Sequence, residues 1–262
     1  MIKRVLLAFQ FLTIIPFRDV GVCTEKELGS ATTFFPLIGL IEGILFAIAS
    51  IPLLRLLPSE IATAFIVLLI VVMNGGLHLD GLADTFDAIA SRGNKDKKLA
   101  IMKDSSIGPI GVVSIVIAIL FNYLMLNAIL NAREDIHAIT LIIMPLATRW
   151  AMVCAIYYSR PAKNEGLGRL FIEHTGNREF ITATAMTIGF VLLVSALTSH
   201  INHFLFFCVI AFPILYIVSI IAVWSLNRQF NGLTGDSFGA INEIQRVIFL
   251  LITVIWSRHY IS

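Results

Sequence analysis

The feature that most constrains this chain is a series of long charge-poor stretches. They recur at roughly 34–54, 61–79, 109–130, 136–158, 180–199 and 203–225, and a weaker one at roughly 245–257 ends in Trp256. A helix needs about 20 apolar residues to cross the hydrocarbon core of a bilayer. Within that core each backbone N–H and C=O must be satisfied inside its own segment, so runs of this length fold as helices. The expected architecture is all-α, a polytopic membrane helix bundle of six or seven spans. The N-terminal segment 5–16 is too short to cross and is expected as an interfacial or re-entrant helix.

Composition supports this reading, because 58% hydrophobic against 14% charged residues lies well outside the usual globular mixture of about half apolar and a quarter charged. Residues 1–262 are expected to form one integral-membrane catalytic domain. The net charge of +2 and the lack of a basic stripe with interleaved aromatics argue against nucleic-acid binding. Cys23, Cys154 and Cys208 form no CxxC pair, and the last two lie in apolar runs where thiols serve as packing. Lys3 and Arg4 before Val5 imitate a signal peptide. No small-x-small site follows, Arg18 and Asp19 come soon after, and Val22 before Cys23 suits a lipoprotein site poorly, so cleavage is not expected.

Segments 1–33, 80–108, 159–179 and 226–244, with Arg246, carry fifteen of the nineteen Lys and Arg residues. The opposite side carries Arg55, Arg133 and Arg258. The positive-inside tendency makes the first group cytoplasmic. The connections Leu57 to Glu60 and Asn131 to Asp135 are short turns, so the chemistry is expected at the cytoplasmic surface of the plasma (inner) membrane.

The most informative polar motif follows the second stretch, as His78-Leu79-Asp80-Gly81-Leu82-Ala83-Asp84-Thr85-Phe86-Asp87. If the helix continues, positions i, i+4 and i+7 sit at about 0°, 40° and −20° around its axis. Asp80, Asp84 and Asp87 then share one stripe. Like charges at that spacing repel, and late in a helix they also meet the negative end of its dipole, so the arrangement calls for a cation. Oxygen-only ligands favour Mg²⁺, Mn²⁺ or Ca²⁺ over zinc. A solvated helix face is the structural alternative. His78 is either a further ligand or base, or a histidine satisfied by a neighbour.

Lys103-Asp104-Ser105-Ser106 precedes Pro109, which suits a capped helix start and a phosphate seat. Arg160 to Arg169, with Lys163, Gly166 and Gly168, has the composition of a mobile loop over a polyanion or of an ordinary basic juxtamembrane loop. Gly232 to Ala240, with Thr234, Gly235 and Asp236 ahead of Asn242-Glu243, is expected as a binding loop. Arg149 inside a span requires a partner, and Glu42 is the candidate. His200 and His203 are expected as interfacial histidines.

These residues, in this order, resemble the cobalamin synthase family, the adenosylcobinamide-GDP ribazoletransferases. The likeness spans most of the chain. It runs from Phe11-Leu12-Thr13 and Phe35-Pro36-Leu37-Ile38-Gly39 through the aspartate motif and Met102-Lys103-Asp104-Ser105, to Gly166-Leu167-Gly168, Thr234-Gly235-Asp236 and Glu243. The resemblance implies a Mg²⁺-dependent membrane enzyme. Its partners would be adenosylcobinamide-GDP and α-ribazole or its 5′-phosphate, with release of GMP. It implies Asp80, Asp84 and Asp87 as metal ligands, with Asp87, Asp104 or His78 as base. Lys103, Ser105, Arg160, Gly168, Arg169, Thr234, Gly235, Asp236 and Glu243 are then the substrate-binding candidates. A homo-oligomer, or contact with other corrinoid-pathway enzymes, is left open. The motif also looks like that of CDP-alcohol phosphotransferases, but Asp84 stands where their DGxxAR arginine would be, so that relation is an analogy of chemistry. A cation-coupled transporter is the alternative from another class, and acids grouped at a membrane edge rather than at the midplane speak against it.

Overall fold

The computed structural model describes residues 1–16, 21–104, 106–132, 134–198 and 201–259. Helix α1 is Ile2–Leu12, α2 is Glu25–Gly29, and a 3-10 turn over Ser30–Phe34 leads into α3, Phe35–Leu56. Helices α4 (Ser59–Met73) and α5 (Leu77–Ala90) follow, then the short α6 (Lys95–Ile101), α7 (Pro109–Ala132) and α8 (Glu134–Tyr158). After them come α9 (Leu167–His174), α10 (Asn177–Ala196), α11 (Ile201–Phe230) and α12 (Gly235–His259). Among the described residues six helices are long and apolar enough to cross a membrane, and the pair α4 and α5, bent by 82°, makes a seventh if it is counted as one span.

Helix α8 is the axis of the bundle, with 89% of its apolar window buried, against 22% for α10 and 28% for α7. The outer helices expose Ile, Leu, Val and Phe, such as Val116, Ile117, Leu192 and Ile221, as helices facing lipid tails do. Gly43 lets α3 lie directly on α8, since a Cβ there would stand 2.3 Å from the carbonyl oxygen of Ile142. Helix α1 is too short to cross and buries Leu7, Ala8 and Leu12. Phe11 stacks on Phe35 and meets Phe171 edge-on.

Two expectations are corrected. The second span does not run on into the aspartates, because Gly75 and Gly76 adopt φ of +59° and +74°, a left-handed turn that ends a helix and that glycine enters without a Cβ clash. Asn74 pins the break by donating from Nδ2 to Leu12 O (3.0 Å) and Glu42 Oε1 (2.6 Å). Helix α5 is 14 residues, about 21 Å long, and is bent by 82° from α4. Asp80 therefore lies in the first turn of a new helix, where the dipole favours an anion rather than opposing it.

The second correction concerns 232–240, which is not a loop beyond Thr234. Gly235 opens α12, and Thr234 and Ser237 cap it reciprocally, Thr234 N–H to Ser237 Oγ and Ser237 N–H to Thr234 Oγ1, both at 3.3 Å. The glycines there serve helix packing. A Cβ on Gly239 would lie 3.1 Å from His78 Cα, and one on Gly81 would lie 2.5 Å from Asp236 O. Helices α5 and α12 thus touch backbone to backbone at their N-terminal turns.

Candidate active site

That contact assembles the site. Asp80 and Asp84 come from α5, and Asp236 from the first turn of α12. Asp80 is exposed and Asp84 half-buried. Burial, followed by the charges of Asp80, Asp236 and Asp87, pushes the Asp84 carboxyl from 3.8 up to about 6, while Lys163 acts in the opposite sense. Asp236 Oδ2 accepts from Thr234 Oγ1 at 3.3 Å, which orients its carboxylate.

Of these acids Asp236 lines a cavity of 280 Å³, together with Phe11 of α1, Met152 of α8, Lys163, Glu165 to Arg169 at the start of α9, and Leu233 to Gly235 leading into α12. Its walls are held by a short backbone clasp. Leu233 N–H donates to Arg160 O (2.8 Å) and Ala162 N–H to Leu233 O (3.0 Å). Gly168 packs where a Cβ would stand 2.6 Å from Gly235 N. The N-termini of α9 and α12 therefore both open at the cavity, whose charged lining is mixed, Lys163 and Arg169 beside Glu165 and Asp236, with Arg169 also paired to Glu25 at 3.5 Å and Glu173 at 3.7 Å.

The chain matches the model of one protein family, described as cobalamin-5-phosphate synthase, over residues 4–254. It is 34% identical to the adenosylcobinamide-GDP ribazoletransferase of Geotalea daltonii, covering 97% of this chain and 98% of that protein. It is 32% identical to the enzyme of the same name from Thermodesulfovibrio yellowstonii, with all of both chains covered. The chain belongs to the cobalamin-5-phosphate synthase family. No solved structure matches it.

Within this member of the cobalamin-5-phosphate synthase family, the fold brings together some of the residues that the sequence singled out and separates others. Asp80, Asp84, Gly168, Arg169, Thr234, Gly235 and Asp236 converge. Asp87 is engaged elsewhere: its Oδ2 accepts from Gly108 N–H (2.7 Å) and its Oδ1 from Gly111 N–H (2.8 Å), capping α7. A carboxylate at that helix end is a charge-assisted cap, supplied from α5 rather than from the residues just before Pro109. Ser105 lies outside the described residues, as do Arg18, Asp19, Arg133 and His200. Ser106 turns back to Asp104, donating from Oγ at 2.7 Å and from N at 3.0 Å. These bonds hold the exposed Asp104 carboxyl below its ordinary value, which suits a base poorly. Lys103 is exposed and is not among the residues lining the cavity.

His78 reaches the cavity wall, but it is buried and its Nε2 faces Arg149 Nη1. It is the satisfied histidine of the structural alternative. Arg149 also pairs with Glu42, as anticipated, at 3.0 Å, and donates to Asn242 Oδ1 at 3.0 Å. Arg160 is exposed and donates to Asn231 Oδ1 at 2.8 Å. Glu243 is buried in an ion pair with Arg246 at 2.7 Å, because α12 turns it away from the cavity. Lys163 was not singled out, although it stands in the quoted basic loop. Nor was Asp236 read as a partner of Asp80 and Asp84. The small pair Gly235 and Gly239, at helical spacing, was the available signal for the packing that joins them.

Among the described residues no group of three or more His, Cys, Asp or Glu is drawn into a metal-holding arrangement. The donor set still fits a hard divalent ion in kind, since its oxygens are all carboxylate, and after burial the neighbouring acids add to the rise of the Asp84 carboxyl.

Proposed function

We propose that this chain joins adenosylcobinamide-GDP to α-ribazole or its 5′-phosphate and releases GMP. The observation that carries the reading is the grouping of Asp80 and Asp84 with Asp236 and Lys163, the last two lining a cavity, in a chain of this family. In the reaction the 3′-hydroxyl oxygen of the acceptor attacks the corrinoid-side phosphorus of the diphosphate. One P–O bond forms as the P–O bond to GMP breaks.

Asp80 and Asp84 are the residues to hold Mg²⁺, with Asp87 left to its capping role. Mg²⁺, when bound, supplies charge neutralisation at the diphosphate. Asp236 lines the cavity and is oriented by Thr234, so it accepts the hydroxyl proton. Lys163 and Arg169, with the N–H groups that open α9 and α12, hold phosphate oxygens as charge leaves with GMP. The fifteen-to-three distribution of cations favours a site facing the cytoplasm at the plasma membrane.

The test uses purified protein in detergent or liposomes. GMP should appear from adenosylcobinamide-GDP when α-ribazole and Mg²⁺ are both supplied. Release of CMP from a CDP-alcohol, or solute flux without conversion, would replace this reading by the phosphotransferase or the transporter.

A further inference from the structure

On the side of α5 away from the acids the bundle is not closed. Leu82 and Phe86 stand about 200° and 240° around that helix from Asp80, with Asp84 at about 40°. They line a second cavity, of 380 Å³, whose other walls are α7 from Ile110 to Phe121 and α12 from Glu243 to Ile248. Voids in a packed interior are few and seldom larger than a water molecule, whereas ligand sites run from about 300 Å³ upward. Leu79, Leu82, Ala118 and Ala240 form the small core where the three helices do close.

The lining, the opening and the length of this groove select its occupant. Two polar side chains line it and both are engaged. Ser114 Oγ donates to Gly111 O at 2.7 Å, and the Glu243 carboxylate accepts from Arg246 Nη1 at 2.7 Å and from Asn242 Nδ2 at 3.4 Å. Water settles in a cavity that offers it two to four polar partners, and the rest of this wall is hydrocarbon. Ile110, Val113, Ile117 and Phe121 are exposed on a helix long and apolar enough to cross a membrane. The groove is therefore continuous with the surface that Val116 and Leu120 present to lipid tails. From Ile110 to Phe121 its wall is about 17 Å long at 1.5 Å per residue, and it begins one residue into α7. Half of a bilayer core of about 30 Å is about 15 Å, so the groove runs from the polar edge through one leaflet.

We propose that this groove holds one acyl chain of a bilayer phospholipid, laid along α7 between Phe86 and Phe121. The chain presses on the back of the helix that carries Asp80 and Asp84 and completes the packing of Leu82 and Phe86. One lipid is thus a fixed part of the wall behind the acids, unlike the exchanging tails around Leu192 and Leu193 of α10. Its binding is independent of the reaction proposed above.

Liposomes containing a phosphatidylglycerol with a photoreactive diazirine in one acyl chain provide the test. After irradiation, label on the wild type should concentrate in peptides covering 110–121 and 243–248. Little should fall on α10 between Ile181 and Leu193, which is exposed to lipid as well. Ser114→Phe fills the groove and should lose that label, and native mass spectrometry should show a phospholipid retained through detergent exchange by the wild type and lost from this variant. Val116→Phe, on the open face of the same helix, should keep both. Label spread evenly over α7 and α10, or equal lipid retention by the two variants, would overturn the proposal. A wild-type dimer without retained lipid, dissociated by Ser114→Phe, would overturn it as well and give the groove to a second copy of the chain. Should Ser114→Phe fail to fold, the labelling pattern of the wild type decides alone.

Discussion

Arg149 and Glu42 meet in the middle of the bundle, the guanidinium donating from Nη2 to both carboxylate oxygens at 3.1 and 3.0 Å and from Nε at 3.2 Å. Both residues are 1% exposed. The same guanidinium reaches His78, two residues before Asp80, and Asn242, six residues after Asp236. One side chain thus ties together the two helices whose first turns carry the site, and Glu42 extends the tie to the break at Asn74.

Glu42→Ala leaves a buried cation without its counter-charge, and breaking such a pair costs about 3–5 kcal/mol. The expected result is a marked fall in melting temperature in detergent. Arg149→Lys keeps the charge but loses the fork to His78 and Asn242, so kcat should fall with KM values nearly unchanged. An Arg149→Lys enzyme with wild-type kcat would show that the tie does not position the acids.

Asp87 and Asp84 should part company on substitution. Asp87→Ala removes the cap of α7 and is expected to cost about 0.5–2 kcal/mol of stability, while Asp87→Asn leaves the Mg²⁺ concentration for half-maximal rate unchanged. Asp84→Asn should abolish turnover. Mg²⁺ titration of GMP release reads both, and equal loss in the two Asn variants would restore Asp87 to the ligand set.

The raised carboxyl of Asp84 gives a pH signature. With a pKa of about 6 in the fold against 3.8 in the unfolded chain, the native state binds more protons between these values. Without metal, this group's contribution to stability therefore falls as pH rises through that window. Protons and Mg²⁺ compete for the same oxygens, so the Mg²⁺ required should rise as pH drops below about 6. A Mg²⁺ requirement independent of pH between 5 and 7 would remove Asp84 from the site.

Contact between α5 and α12 is tested by glycine substitution. Gly81→Ala drives a methyl to 2.5 Å from Asp236 O, and overpacking of this kind costs about 1–3 kcal/mol. Turnover should drop at least 10-fold as the acids separate. Gly189→Ala on α10 meets nothing within 4 Å and should be neutral or slightly stabilising, measured by the same melting and rate assays.

The sequence alone determined the class and most of the crossings. Long apolar runs have one solution in a bilayer, so α3, α7, α8, α10 and α11 begin and end near the charge boundaries. The pair Glu42 and Arg149 was legible for the same reason, since a buried cation within a span needs an acid in reach. What the sequence left open depended on contacts between segments far apart. Helical periodicity put Asp87 on the stripe of Asp80 and Asp84, but it carries no information about a helix start 21 residues later whose N–H groups claim that carboxylate. The glycines at 235 and 239 read as a loop, since a glycine needed for close helix packing and one needed for a turn look alike until the partner helix is in place. The tertiary structure decided that α5 bends away, that α12 lies on it at Gly81, and so that Asp236 and Lys163, rather than Asp104 and Lys103, stand beside Asp80 and Asp84.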